Sequence, residues 1–529
     1  MMPRRQFLSV IATASAAPTG ALASAANRDG SADLAAPLHE LSVAQLQMRM
    51  ARGELTAQAL TQSCLDRIEA VDRSGPTLAA VLEINPDAQQ LAATLDRERS
   101  AGRTRGPLHG IPVLLKDNVA TDDRMQTTAG SFALVGAKAP RDAYLVSRLR
   151  EAGALILGKT NLSEWANIRS SRSVSGWSAR GGLTRNPHVL DRNTSGSSSG
   201  SAAAAAAGLA PLTVGTETDG SIVSPASING IVGFKPTVGL VSRDGIIPIA
   251  QSQDTAGPMT RSVADAALLL QVMAGRDQRD PATRPSKLGE SFLALNRTAL
   301  RGARLGIVRG AFSGNERIDA VHEAALSVLS QQGAILVDQV KISPSERYQE
   351  SEFAVLLYEF KAGLNAYLQE FGAGAPVRSL ADLIAFNETH RAVEMPYFSQ
   401  ELFVRAEGLG GLRSRAYREA LANNHRHARE LGIDDALRRH RLDGLVAPTG
   451  GVAWRTDLIN GDHYSGSFST PAAVAGYPHL TVPCGFAMGL PVGLSFVGPA
   501  WSDARVLGLG YAFEQATLAL QAPRYLTSL

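Results

Sequence analysis

The chain has 529 residues, a near-balanced formal charge of +3 and 5% aromatic residues, so a large core is expected and the basic stripe or stacking motif of a nucleic-acid binder is missing. Its two cysteines, Cys64 and Cys484, and its ten histidines show neither a disulfide framework nor zinc-ligand spacing. No apolar run approaches the roughly 18 residues that span a bilayer, so a soluble protein without a membrane partner is expected.

In chain order, residues 1–25 read as a twin-arginine export signal. Arg4–Arg5 precede Phe7–Leu8 and an alanine-rich run, and Ala23-Ser24-Ala25 offers a small-residue cleavage site. Such a signal implies a periplasmic or secreted protein and a mature chain from Ala26. From Pro37 to Arg105, Leu41, Leu46, Leu55, Leu60, Cys64, Leu65 and Ile68 recur at helical spacing, as in helices covering a main body. Gly106–Pro107 and Gly110 punctuate, and IPVLLK then reads as a buried strand with Lys116 at its end. YLVSRLREAGALILGKTN predicts helix, glycine turn and strand, the alternation of an α/β sheet. Asn161–Asp191, rich in Ser, Gly and Arg and carrying Trp165 and Trp177, reads as a long loop bordering a site.

The stretch DRNTSGSSSGSAAAAAAGLAPLTVGTETDGSIVSPASING, Asp191–Gly230, is the most structured signal in the sequence. Alanine favours helix and serine favours its cap, so a helix from Ser199 or Ser201 through Ala207 is predicted, ended by Gly208. Leu209–Val214 is strand-like, and the turn GTETDGS then presents Ser221 near another helix start. Ser197 and Ser221 thus sit on two tight turns at one end of a helix–strand unit. A flexible Gly/Ser linker would lack the apolar segments on both sides. A phosphate loop would need a G-K-[ST] ending that is absent.

Downstream, residues 290–440 carry helical patterns, including LLYEFKAGLNAYLQEF (Leu356–Phe371), and read as a region that shapes substrate choice beside a fixed core. The pair His425 and His427 lies in the basic stretch NNHRHARELG and reads as a solvated helix face. LTVPCGF and VGLSFVG alternate as strands before a last helix around Ala504–Leu518.

Taken together, SGSSSGSAAAAAAG, GTETDGS, PLHGIPVLLKDN (Pro107–Asn118), GIVGFKPTVGLVSRDGIIP (Gly230–Pro248), SQDTAGPMTRSVADAALLL (Ser252–Leu270), LDGLVAPT (Leu442–Thr449) and GYPHLTVPCGF…GLPVGLSFVGP (Gly476–Pro499) resemble the amidase signature family in its own order. Within that family the two serine-bearing loops look most like those of bacterial peptide amidases. The resemblance implies one large α/β domain over 26–529, a central mixed, twisted β-sheet covered by helices on both faces. It implies a Ser–Ser–Lys hydrolase with Ser221 as nucleophile, Ser197 as bridging relay after a cis Gly196–Ser197 peptide, and Lys116 as general base. The oxyanion hole is then formed by backbone N–H groups of Thr218, Asp219, Gly220 and Ser221. No metal or organic cofactor is implied, and the substrate is a small-molecule or short peptide amide.

Physically, a serine hydroxyl must lose its proton as it attacks, and lysine can take that proton only when neutral, which burial favours. Three departures from the family pattern stand out. Ser195–Gly196 replaces the usual Gly-Gly, Glu217 and Asp219 stand where Asp and Gly are common, and Val223–Ser224 stand where some relatives carry arginine. The last argues against a substrate with a carboxylate beside the scissile amide. The expected activity is release of ammonia from carboxamides, with peptide C-terminal amides foremost and Trp165, Trp177 and Tyr358–Phe371 lining a groove for the preceding residues. The alternatives are a broad aliphatic or aryl amidase or amide/ester hydrolase, the amidase subunit of a tRNA-dependent amidotransferase, and a non-catalytic binding protein on the same fold. The export signal argues against the amidotransferase component, and the three intact catalytic positions argue against the binding protein.

Overall fold

The computed structural model describes residues 37–285 and 291–529; the expected export signal lies outside the described residues. Within Leu38–Leu529, which pack as one unit, the strands are β1 (Val81–Ile84), β2 (Pro112–Lys116), β3 (Leu155–Thr160), β4 (Trp177–Ser178), β5 (Gly182–Leu183), β6 (Leu212–Glu217) and β7 (Val232–Lys235). They continue with β8 (Thr255–Thr260), β9 (Arg304–Ile307), β10 (Ile335–Val337), β11 (Gly444–Pro448), β12 (His479–Ala487) and β13 (Leu490–Val497). β4 and β5 form a small hairpin, and the rest form an 11-stranded sheet in the order β1-β3-β2-β6-β8-β7-β12-β13-β11-β9-β10. It is mixed: β3, β2 and β6 run parallel, as do β11, β9 and β10, while antiparallel pairs join these blocks through β8, β7, β12 and β13.

Strands covered on both faces lose the apolar–polar alternation of a half-exposed strand, and every residue of β2, β3, β6 and β8 is buried. Successive side chains of β12 show the two faces. Leu480 and Val482 stand where a Cβ on Gly510 of helix Asp503–Thr517 would meet them. Thr481 instead faces Ser227 of helix Val223–Ile228 across Gly493. Ser199–Ala206 is the expected alanine helix, wholly buried, and it packs on β2, β3, β6 and β8. Gly208 ends it in the left-handed conformation, φ 66°. The strand after it begins at Leu212 rather than Leu209 and runs on to Glu217, because Leu209–Pro211 are spent returning the chain to the sheet.

Two sequence expectations change here. Residues 290–440 are not only helical: they supply β9 and β10, two short strands closing one edge of the sheet. The long helix Gln349–Phe371 uses Leu357, Phe360, Leu364 and Leu368 to build a core with Leu162, Trp165, Ile247 and Phe403, so its apolar face is spent on packing. His427 is half-buried rather than solvated, stacked 6.3 Å from Tyr348 with its Nδ1 2.8 Å from Ser343 Oγ.

Candidate active site

β2 and β6 are parallel neighbours, so both deliver their C-terminal residues to the same edge of the sheet. β2 ends in Lys116 and β6 in Thr216–Glu217. The Lys116 side chain is fully buried, and its Nζ lies 2.7 Å from Ser197 Oγ, 3.0 Å from Ser198 Oγ, 3.0 Å from Thr216 Oγ1 and 3.2 Å from the Thr216 carbonyl. An ammonium has three hydrogens for these four oxygens, and none of the four is a carboxylate. Burial therefore lowers the lysine pKa to about 7, against the opposing pull of Asp254 and Glu217. Ser198 Oγ gives its own hydrogen to the Thr216 carbonyl at 3.0 Å, and Thr216 Oγ1 accepts from Asn118 Nδ2 at 2.9 Å. Of the two serine hydroxyls at the lysine, Ser198 has committed its hydrogen to the Thr216 carbonyl, and Ser197 has not committed its own.

Ser197 follows a cis peptide from Gly196, as the resemblance implied. Its carbonyl accepts from Ser163 N at 3.0 Å, and Ser199 Oγ donates to the Ser195 carbonyl at 2.6 Å, so the loop is tied on both sides of the serine. A Cβ on Gly196 would overlap Ser163 Oγ at 2.1 Å, which accounts for glycine there.

The second turn is folded by Glu217, which the sequence marked only as a departure from the family pattern. Glu217 Oε2 accepts from Ile222 N (2.8 Å) and Val223 N (3.0 Å), so the carboxylate that ends β6 also caps helix Val223–Ile228. Residues 218–221 are pinched into the loop between these contacts, with Gly220 at φ 79°. The cap of this helix is the Glu217 side chain and not that of Asp219. Asp219 Oδ2 instead accepts from Thr470 Oγ1 at 2.7 Å, and its carboxylate faces Glu352. Among the described residues, no backbone carbonyl accepts from the N–H groups of Asp219, Gly220 or Ser221. The two serine turns are joined by Ser198 N donating to the Ser221 carbonyl at 3.2 Å. No hydrogen bond connects Ser221 Oγ to Ser197 Oγ, the one link of the expected relay that is not formed among the described residues.

Ser221, Gly220 and Asp219 open onto a cavity of about 340 Å³. Ala166, Asn167 and Ser175 from the Asn161–Asp191 loop line it, as expected of that loop, together with Trp454, Asp462, Tyr464, Ser469 and Thr470. The expected groove residues are absent from its walls. Trp165 is buried edge-on to Phe403, and Trp177 packs edge-on to Tyr397 and Phe398 in a cluster that Arg169 covers. Tyr358–Phe371 also line no part of it, because that helix faces the core. The aromatic wall is Trp454 against Tyr464, ring centres 5.6 Å apart, on the segment 451–467. Asp462 Oδ1 fastens that segment, accepting from Trp454 Nε1 (3.2 Å) and Asn193 Nδ2 (3.4 Å), and both its oxygens accept from Ser175 N. Charged groups on the cavity wall are Asp219 and Asp462, with no lysine or arginine among them. Ser224 Oγ lies 2.9 Å from Ser195 Oγ, and Val223 is fully buried, so neither replaces the arginine of other relatives. Among the described residues no group of three or more His, Cys, Asp or Glu side chains is placed to hold a metal ion, and no helix is long and apolar enough to cross a membrane.

The sequence model of the Amidase family matches residues 59–507. The crystal structure of native peptide amidase from Stenotrophomonas maltophilia is 54% identical, covering 92% of this chain and 99% of that one with a TM-score of 0.89. The same identity, coverage and TM-score hold for a peptide amidase in complex with the competitive inhibitor chymostatin. Among curated proteins, a probable amidase of Arabidopsis thaliana is 40% identical over 504 residues, 92% of each chain. A glutamyl-tRNA(Gln) amidotransferase component of Symbiobacterium thermophilum is 37% identical, over 92% of this chain and 99% of its own.

Proposed function

The chain belongs to the amidase family, a serine hydrolase that cleaves amide C–N bonds, and we propose that it removes ammonia from the C-terminal amides of short peptides with Ser221 as nucleophile, Ser197 as relay and Lys116 as base. The observation that carries this reading is the buried Lys116 Nζ held 2.7 Å from Ser197 Oγ behind the cavity that Ser221 lines. As Ser221 Oγ bonds to the amide carbon, its proton passes through the Ser197 hydroxyl to neutral Lys116. The carbonyl oxygen becomes an oxyanion facing the N–H groups of residues 218–221. Collapse breaks the C–N bond, the lysine proton goes to the departing amine, and ammonia leaves. Water then attacks the acyl-serine by the same relay, releasing the acid and restoring Ser221. The unformed Ser197–Ser221 hydrogen bond is of the kind that tightens when substrate binds.

Peptide amides are favoured over simple amides by the cavity's volume and its Trp454–Tyr464 wall, and by the 54% identity to peptide amidases against 37% to the amidotransferase component. Asp219 and Asp462, with no cation on the wall, disfavour a peptide acid, which is the product. Ammonia release should be faster from a blocked dipeptide amide than from acetamide or benzamide, with internal peptide bonds uncut. Faster turnover of the simple amides, or endopeptidase cleavage, contradicts the substrate assignment and leaves the three catalytic residues in place. Export is part of the same proposal and is supported by Arg4–Arg5 and Ala23–Ala25 in the sequence. Mass spectrometry of protein from its native host should find these residues removed.

A further inference from the structure

We propose that Gln253 is a positioning residue for this reaction: its side-chain amide holds the Thr218 carbonyl so that the following N–H, that of Asp219, is aimed at the oxyanion. The inference rests on Ser221 as the nucleophile. Gln253 is 1% exposed and is absent from the cavity wall, so it acts through Thr218 rather than on substrate. Its Nε2 donates to the Thr218 carbonyl at 3.2 Å and to Glu352 Oε1 at 3.1 Å, which commits both amide hydrogens and fixes the orientation of the group. In a planar trans peptide the C=O and the next N–H point in opposite directions. Drawing the Thr218 carbonyl into the protein toward Gln253 therefore turns the Asp219 N–H the other way, toward the cavity that Asp219, Gly220 and Ser221 line.

The neighbouring residue grips the same threonine by its side chain. Thr218 Oγ1 donates to Asp254 Oδ1 at 2.6 Å, and Asp254 Oδ2 is held by Ile249 N and Ala250 N, each at 2.9 Å. Two of the carbonyls that follow are also engaged inside the protein: Gly220 O accepts from Ser224 N at 2.8 Å, and Ser221 O from Ser198 N at 3.2 Å. Glu352, from helix Gln349–Phe371, completes the support; its burial and the Asp219 carboxylate opposite push its pKa well above the usual carboxylate range. The distant helical region thus reaches the reaction through Gln253 and the nucleophile turn.

A donor aimed at charge that exists only in the transition state affects turnover more than ground-state binding. The test is Gln253→Met, similar in length but without N–H donors, assayed with a blocked dipeptide amide, the matching peptide aldehyde as inhibitor and the peptide acid. We expect kcat to fall about 10- to 100-fold, less than outright removal of an oxyanion donor. KM and acid binding should stay within about threefold of native. Aldehyde affinity should fall by the same factor as kcat, because its serine adduct places an oxyanion in the same position. Should Gln253→Met fold poorly, Gln253→Glu keeps the shape and, when ionised, presents only acceptors, with the same expected pattern. A kcat and aldehyde affinity within about twofold of native, or a fall in kcat with aldehyde affinity retained, overturns the proposal. Mapping the native enzyme's aldehyde adduct separates the two levels. An adduct away from Ser221 removes the underlying assignment and the proposal with it, whereas an adduct on Ser221 with Gln253→Met unchanged removes the proposal alone.

Discussion

A lysine held by four neutral oxygens, with no carboxylate in hydrogen-bond contact, is poised to be neutral near physiological pH, and this sets the chemistry at the scale of single residues. In the proposed relay the neutral form is the base, and burial lowers its pKa to about 7. Activity should therefore rise with pH through about 7 and level off above it, and kcat/KM should fall about tenfold per pH unit on the acid side. A pH–rate profile of the native enzyme with a blocked dipeptide amide checks this; an acid limb centred near 10 would mean that Lys116 is not desolvated in the working enzyme. Lys116→Ala should lose about 10²–10⁴-fold in turnover, as for loss of a general base. Lys116→Arg should do no better, since guanidinium stays charged across that range. Near-native turnover in a folded Lys116→Ala protein would rule out the relay.

At the scale of elements, the site depends on how closely helix Ser199–Ala206 approaches the sheet edge. A Cβ on Gly200 would come within 2.3 Å of the Ala80 carbonyl and 2.5 Å of the Asn161 carbonyl, both backbone atoms that cannot swing aside. Gly200→Ala should destabilise by about 1–3 kcal/mol through overpacking, read as a lower denaturant midpoint, and should lower kcat by shifting Ser197 from Lys116. The segment 451–467 is a different case, a loop tied to Asp191–Asn193 by backbone bonds at Trp454 and Thr456 and to Ser175 through the Asp462 side chain. Asp462→Ala strips the acceptor from Ser175 N and Trp454 Nε1, each such loss costing about 1–3 kcal/mol. Because the segment carries Trp454 and Tyr464, KM for peptide amides should rise several-fold while labelling of Ser221 persists. Local signals made the first of these elements legible: alanine run, serine start, glycine stop, and an apolar strand ending in lysine. Nothing local marks the second. Trp165 and Trp177 looked available because they lie in a polar loop, yet bulky aromatics in such a loop still seek burial, and Trp454 and Tyr464 reach the cavity only through contacts between residues far apart in sequence.

At the scale of the whole molecule, the sheet brings together residues that the chain separates widely. Lys116 arrives on β2, Ser197 before a helix and Ser221 after β6, and the parallel β2–β6 pair puts them at one edge. That convergence was legible as a family order of motifs. The edge strands β9 and β10 were not legible, since three- or four-residue strands among long helical patterns leave no period to read. Nor was the role of Glu217, whose carboxylate caps a helix only once the turn has folded. The proposed mechanism requires Ser221 Oγ to take the acyl group. Its most direct test is peptide mapping by mass spectrometry after reaction with an active-site serine phosphonate. The adduct should lie on Ser221 alone and be lost in Ser221→Ala; an adduct on Ser197 or on any other serine would contradict the mechanism.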